Sequence, residues 1–341
     1  MSPRLILTLV AFFLGFSSVQ YLYAQGAPLS HNFTYRDYRS HPLVWGFATD
    51  NQGVIYLANN DGVLRYDGAR WQLIPTDNPV RSLAVNKSGK VLVGTMGGFG
   101  WLQPKASGEL LYSSLTDKLK LKDETVRNVN QILLKGKTGH FVSSGALILM
   151  EGEPDQAKFK RKKVDGMAGA ALVGNTVFVN IDGEGLHKFE GEKLEPVPNG
   201  NLLEIDLVVG GAQLGSRGVI AGTNDGIFTI EDGRLEPFAT EAKAYLRQHG
   251  IISLHSMGSK GVLVGTFSGG ALVINPEGNI TARYNEQSGL PSNDLYAVFE
   301  DNNGEIWIAH SKGVSVFTPQ APLITYEHAS GPSAKINAIE V

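Results

Sequence analysis

Seven times between Val44 and Phe317 the chain repeats one pattern: an apolar run, a turn with Gly, a β-rich tetrad, a small polar loop, then Gly, a hydrophobic residue and an aromatic. The clearest copies start at Asp50-Asn51-Gln52-Gly53-Val54-Ile55-Tyr56 and at Asp301-Asn302-Asn303-Gly304-Glu305-Ile306-Trp307. The turn glycines are Gly53, Gly89, Gly139, Gly174, Gly218, Gly261 and Gly304, with steps of 36, 50, 35, 44, 43 and 43 residues. Self-similarity on this scale means an array of small supersecondary units, and these hold only strand and turn signals. A single unit cannot bury its apolar faces. Radial packing buries them and leaves short, protected edges. The pattern therefore predicts an all-β chain folded as a seven-bladed β-propeller of four-stranded antiparallel blades.

In the first unit, Val44 to Ala48 reads as the inner strand and Asp50 to Gly53 as a tight turn, since Asn and Gly accept positive φ cheaply. Val54 to Ala58 is the second strand, Val63 to Tyr66 the third and Trp71 to Leu73 the outer one. The second strands are almost continuously apolar, as at Val91-Leu92-Val93 and Val262-Leu263-Val264, which fits sheets covered on both faces. The third and fourth units are the least regular, with Lys135, Lys137 and His140 near one turn and an Ala- and Gly-rich stretch from Met167 to Gly174. Thr240 to His249 is the longest helix candidate, about three turns between units.

The 341 residues are enough for one large core. With 41 Gly and 18% charged residues the composition fits a turn-dense β protein and excludes a coiled coil. Residues 1–24 read as a secretory signal: Arg4 is a positive n-region, Leu5 to Val19 an apolar stretch too short for a membrane span, and Leu22-Tyr23-Ala24 a small-residue end before Gln25. The expected organisation is a signal peptide over 1–24, a propeller sensor domain over 25–319, and a further repeat or closing strand starting in 320–341. Thirty basic and 33 acidic residues leave no dominant sign. The one dense basic run, Lys158 to Lys163, reads as a solvated loop, so no nucleic-acid partner is expected. Cysteine is absent, which excludes a disulfide framework and thiolate chemistry.

The stretch from Gly289-Leu290-Pro291-Ser292-Asn293-Asp294 through Glu300-Asp301-Asn302-Asn303-Gly304-Glu305-Ile306-Trp307 resembles the two-component regulator propeller repeat, in which Leu-Pro leads into an Asn-Asp turn, an inner strand, an acidic-Gly turn and a Trp-bearing strand. Tyr56 to Trp71 is similar to the opening blade of such sensors, and the resemblance extends over about Phe33 to Val341. It implies the periplasmic sensor region of a bacterial hybrid histidine kinase or related regulator. Full-length members of that family continue into further repeats, a β-sandwich, a membrane span and an output domain, so the resemblance implies an N-terminal portion, held at the membrane only through downstream segments. Lys335 to Val341 matches the start of one more inner strand.

Enzyme and metal motifs are poor. No Gly-x-Ser-x-Gly elbow occurs, and Phe267-Ser268-Gly269-Gly270 reads as a strand connection. Gly97-Gly98-Phe99-Gly100 lacks the helix that a phosphate cradle needs. Asp182-Gly183-Glu184-Gly185 and Asp50 to Gly53 read as turns, without the spaced ligands of a Ca²⁺ loop. The eight His residues form no zinc-type pair. No cofactor, metal or catalytic residue is predicted.

Propellers bind ligands at one mouth of the ring, where the outer-to-inner and second-to-third strand connections converge. The ligand-binding candidates there are Trp45, Asn60, Asp61, Arg81, Asn130, Asp225, Ser268, Asn293, Tyr296 and His310. Amides, carboxylates and Arg are the hydrogen-bonding set that sugar hydroxyls or acidic sugars require. Trp45 and Tyr296 share one place in the repeat, eight residues before the turn glycine, and offer stacking. For any one of these residues the plainer role is to cap a turn or fill the ring. The leading expectation is a non-enzymatic periplasmic sensor for an oligosaccharide or similar polar small ligand. The alternatives are an exported lyase or hydrolase, and a scaffold for protein contacts such as homodimerisation.

Overall fold

The computed structural model describes residues 27–120, 125–319 and 324–325. The expected signal segment and most of 320–341 lie outside them. The chain divides into a large unit, 29–321, and a small one made of 1–28 and 322–341. In the small unit, Ala27 pairs with Thr325 and Pro28 with Ile324.

The large unit is built from four-stranded antiparallel meanders. In the first, Val44–Thr49, Ile55–Asn59, Gly62–Tyr66 and Trp71–Pro75 follow one another in sequence and in space. The same order returns over residues 80–114, 129–163 and 251–284. The segments 167–196 and 208–237 repeat it too, but the parallel bridge Gly169↔Val208 joins them into one eight-stranded sheet. Gly169 has φ +96, and a Cβ there would run into the Val208 carbonyl oxygen, so the bridge forms only because the position is glycine. In the last sheet, Leu295–Glu300, Ile306–His310 and Gly313–Thr318 take their outer partner from the N-terminus, with Leu29 opposite Thr318 and Phe33 opposite Val314. The sheet pattern overturns the expectation of a seven-bladed propeller of four-stranded blades, while the all-β propeller of antiparallel meanders stands. Hydrogen bonding makes six sheets, because an Ala- and Gly-rich inner strand lets two meanders approach close enough to share a bridge.

The inner strands Val44–Thr49, Val80–Val85, Val129–Lys135, Met167–Val173, Val208–Leu214, Ile251–Ser256 and Leu295–Glu300 contact each other in turn, and the last meets the first. The ring is closed, and the core lies between sheets. Val54, Tyr56 and Val63 pack on Val91, Val93 and Leu102 of the next sheet, while Phe47, Leu57 and Leu64 pack on Trp307, Ala309 and Val314 of the last. Burial on both faces explains why second strands such as Ile55–Asn59 and Val262–Thr266 are buried along their whole length.

Two local expectations also change. Lys158–Lys163 is the outer strand of its sheet rather than a loop: Phe159 turns inward against Phe99, while Lys158, Lys160 and Lys163 are exposed. The helix between units is Lys243–His249, seven residues and so two turns, because the preceding Thr240 Oγ1 binds the Gly278 carbonyl and accepts from Ala242 N–H.

Candidate functional site

Every inner strand carries a β-bulge near its start. The ladder to the second strand slips between Val44 and Gly46, Val80 and Ser82, Val129 and Gln131, Met167 and Ala170, Val208 and Gly210, Ile251 and Ser253, and Leu295 and Ala297. A bulge leaves one residue unpaired and re-aims its side chain. The residues so released in six of the strands, Trp45, Arg81, Asn130, Val209, Ile252 and Tyr296, line one cavity of about 640 Å³ at the mouth of the ring, together with Gly169, which bridges to Val208. A cavity of this size fits a small ligand.

The wall from Tyr296 through Trp45 to Arg81 is ordered by ring contacts. The Arg81 guanidinium carbon lies 4.1 Å from the centre of the Trp45 ring, and the Trp45 and Tyr296 rings are 5.5 Å apart. Trp45 Nε1 donates to Asn60 Oδ1 at 2.8 Å, which fixes the indole. Arg81 donates through Nη2 to Met96 Sδ at 3.3 Å, and its buried Nε has no hydrogen-bond partner. Burial holds its pKa below the ordinary value for Arg. Asn128, Ser143, Ser144 and Asn224 continue the polar lining. The opposite wall is apolar: Ile205 is 80% exposed, Phe267 54% and Leu207 52%.

Of the candidates drawn from sequence, Trp45, Arg81, Asn130 and Tyr296 come together in this cavity, with Asn60 behind Trp45. The others are placed elsewhere. Asp61 accepts from Ser40 Oγ and His41 N–H, and Asp225 faces Arg247 across a separate small cleft beside the helix Lys243–His249. Ser268 Oγ is 2.9 Å from His249 Nδ1. Asn293 Oδ1 accepts from Glu286 N–H. His310 is buried in the last sheet, where Lys312 N–H donates to Nδ1. Its Nε2 therefore carries the proton and donates to Ser315 Oγ at 2.9 Å. Burial, assisted by Lys312, pushes its pKa down to about 4.

Sequence reasoning missed Ile205, Leu207, Val209 and Ile252, because it sought hydrogen-bonding groups and stacking aromatics, and Phe267, because Phe267 to Gly270 reads as a strand connection. The signal that could have found Val209 and Ile252 was the place in the repeat, second in the inner strand, that Trp45, Arg81, Asn130 and Tyr296 also occupy. Among the described residues no group of three His, Cys, Asp or Glu side chains could hold a metal ion, and no helix is long and apolar enough to cross a membrane.

No curated protein matches the chain. Several solved structures share its fold. Two are extracellular domains from B. thetaiotaomicron, each described as part of a hybrid two component system. The first is 18% identical with a TM-score of 0.64, covering 86% of this chain and 40% of that one. The second is 13% identical with a TM-score of 0.67, covering 86% and 42%. The chain thus spans about two fifths of the length of those domains. Virginiamycin B lyase from Staphylococcus aureus, solved with quinupristin, is 10% identical with a TM-score of 0.62, covering 85% of this chain and 99% of that one. The model of the two component regulator propeller family matches residues 289–312, the segment that leads into and forms the first two strands of the last sheet. Residues 289–312 are accordingly a two component regulator propeller repeat, carried in a β-propeller whose fold is shared with the extracellular domains of hybrid two component systems.

Proposed function

We propose that the chain is a periplasmic sensor propeller of a two-component-type receptor, and that it binds a carbohydrate or similar polar small ligand at the mouth lined by the bulge residues. The observation that carries this reading is the row Tyr296, Trp45 and Arg81, three released side chains from neighbouring inner strands that present a stacking face and a guanidinium to one cavity. The regulator repeat at 289–312 and the fold shared with extracellular sensor domains support the signalling role. Sensing needs a ligand that shifts a population and is not consumed.

Isothermal titration against a panel of neutral and acidic oligosaccharides, followed by product analysis, tests the reading. Saturable binding with unchanged ligand, weakened by Trp45→Ala and by Asn60→Ala, is the expected result. The fold shared with a lyase makes turnover the second reading, and time-dependent cleavage of a panel member would establish it. Absence of binding together with self-association would leave a scaffold for protein contacts.

A further inference from the structure

The mouth is chemically two-sided. Arg81 is the one charged residue among those that line it, and no carboxylate answers it. Its described polar contact is the Met96 sulfur, its Nε is buried without a partner, and no ion pair involves it among the described residues. A guanidinium offers five donors in a planar fork suited to a carboxylate. Here the guanidinium lies over the Trp45 ring, and the acceptor that Nη2 reaches is a sulfur rather than an oxygen.

The facing wall has the opposite character. Single exposed apolar residues are ordinary on a protein surface, but Ile205, Leu207 and Phe267 gather at one cavity, with the bulge residues Val209 and Ile252 also lining it. A neutral sugar would leave the guanidinium without its anion and this wall uncovered. A purely apolar molecule would cover the wall and strip water from Arg81 without replacement.

Resting on the reading of the mouth as the binding site, we infer that its ligand is a small amphipathic anion, with a carboxylate that pairs with Arg81 and an apolar end that covers Ile205, Leu207 and Phe267. Three probes separate the parts: phenyl β-D-glucuronide has both, phenyl β-D-glucoside has the ring without the charge, and glucuronate has the charge without the ring. A charge-assisted pair predicts that phenyl glucuronide binds about tenfold or more tighter than phenyl glucoside. Arg81→Gln should bring that ratio to about one, and Arg81→Lys, which keeps the charge without the fork, should retain part of it. Phe267→Ser should reduce the advantage of phenyl glucuronide over glucuronate and leave the preference for the anion in place.

Equal binding of the glucoside and the glucuronide, or a ratio unchanged in folded Arg81→Gln protein, overturns the inference and leaves the mouth as a binding site. Binding of a neutral oligosaccharide from the panel with none of phenyl glucuronide does the same. No binding of any probe or panel member overturns both readings.

Discussion

At the scale of single residues, the repeated acidic turn shows how sequence fixes structure. Asp50 Oδ1 accepts from Gln52 and Val54 N–H while Oδ2 accepts from the Tyr56 hydroxyl at 3.0 Å. Asp301 does the same with Asn303, Glu305 and the Trp307 indole N–H at 3.1 Å. One carboxylate closes the turn and anchors the buried aromatic of the next strand, which is why the Asp, Gly and aromatic recur at fixed spacing and were readable from sequence. Trp307 is 2% exposed and packs against Phe33, Phe47 and Tyr66, so Trp307→Ala should cost about 3 to 5 kcal/mol through the cavity it leaves. A thermal midpoint within a degree of wild type would contradict that packing. His310 was read as a ligand candidate because its place in the second-to-third strand connection resembles that of exposed loop residues; sequence alone does not reveal that it is 1% exposed. Its folded pKa of about 4 lies below the ordinary 6.5, so the unfolded chain takes up the proton first. Stability is then complete above about pH 6.5 and falls as pH drops toward 4, with His310 contributing up to about 3 kcal/mol of the loss. His255, also pushed down to about 4 by burial, adds to it. Urea titrations across this range should show the decline, and His310→Gln should flatten part of it.

Among elements, the inner strand matters most, because its bulge decides what the mouth displays. The alternation of strand and turn, the apolar second strands and the meander order follow from periodicity and were legible. The bulges were not, since each is set by how one inner strand meets its neighbours around the ring and has no local composition of its own. Four mouth residues were nevertheless found, because Trp45, Arg81, Asn130 and Tyr296 stand out chemically, whereas Val209 and Ile252 look like any strand residue. The Lys158–Lys163 strand escaped for a related reason: its outward Lys residues mask Phe159, which packs against the core. A single backbone bridge joins the two meanders into one sheet. Gly169→Ala would place a methyl against the Val208 carbonyl at a backbone angle L-residues avoid, and should cost about 2 to 4 kcal/mol. A denaturant midpoint equal to wild type would show that the bridge contributes nothing.

At the scale of the whole molecule, ring closure depends on residues 29–33, which complete the last sheet opposite Gly313–Thr318. Asn32 Oδ1 accepts from Ser315 Oγ, and Phe33 sits edge-on to Tyr66 and Trp71, so the closing strand is held to the last sheet by its ladder and reaches the first by packing. Removing the chain up to Phe33 exposes an unpaired strand edge. The shortened protein should melt at a lower temperature and self-associate, as read by calorimetry and light scattering; an unchanged melt with a monomer would show that closure lies elsewhere.

The central claim is that the bulge-lined mouth binds a small polar ligand, and Trp45 is a reporter placed in it. Trp101 and Trp307 are buried in sheet packing, while Trp45 faces the cavity. The most direct measurement is tryptophan fluorescence during titration with the oligosaccharide panel, run in parallel on wild type and Trp45→Phe. A saturable change in wild type that is lost in Trp45→Phe, with binding still detected in that variant by calorimetry, is the predicted result. A binding event that leaves Trp45 emission untouched, or a change that persists in Trp45→Phe, would place the ligand elsewhere and contradict the account.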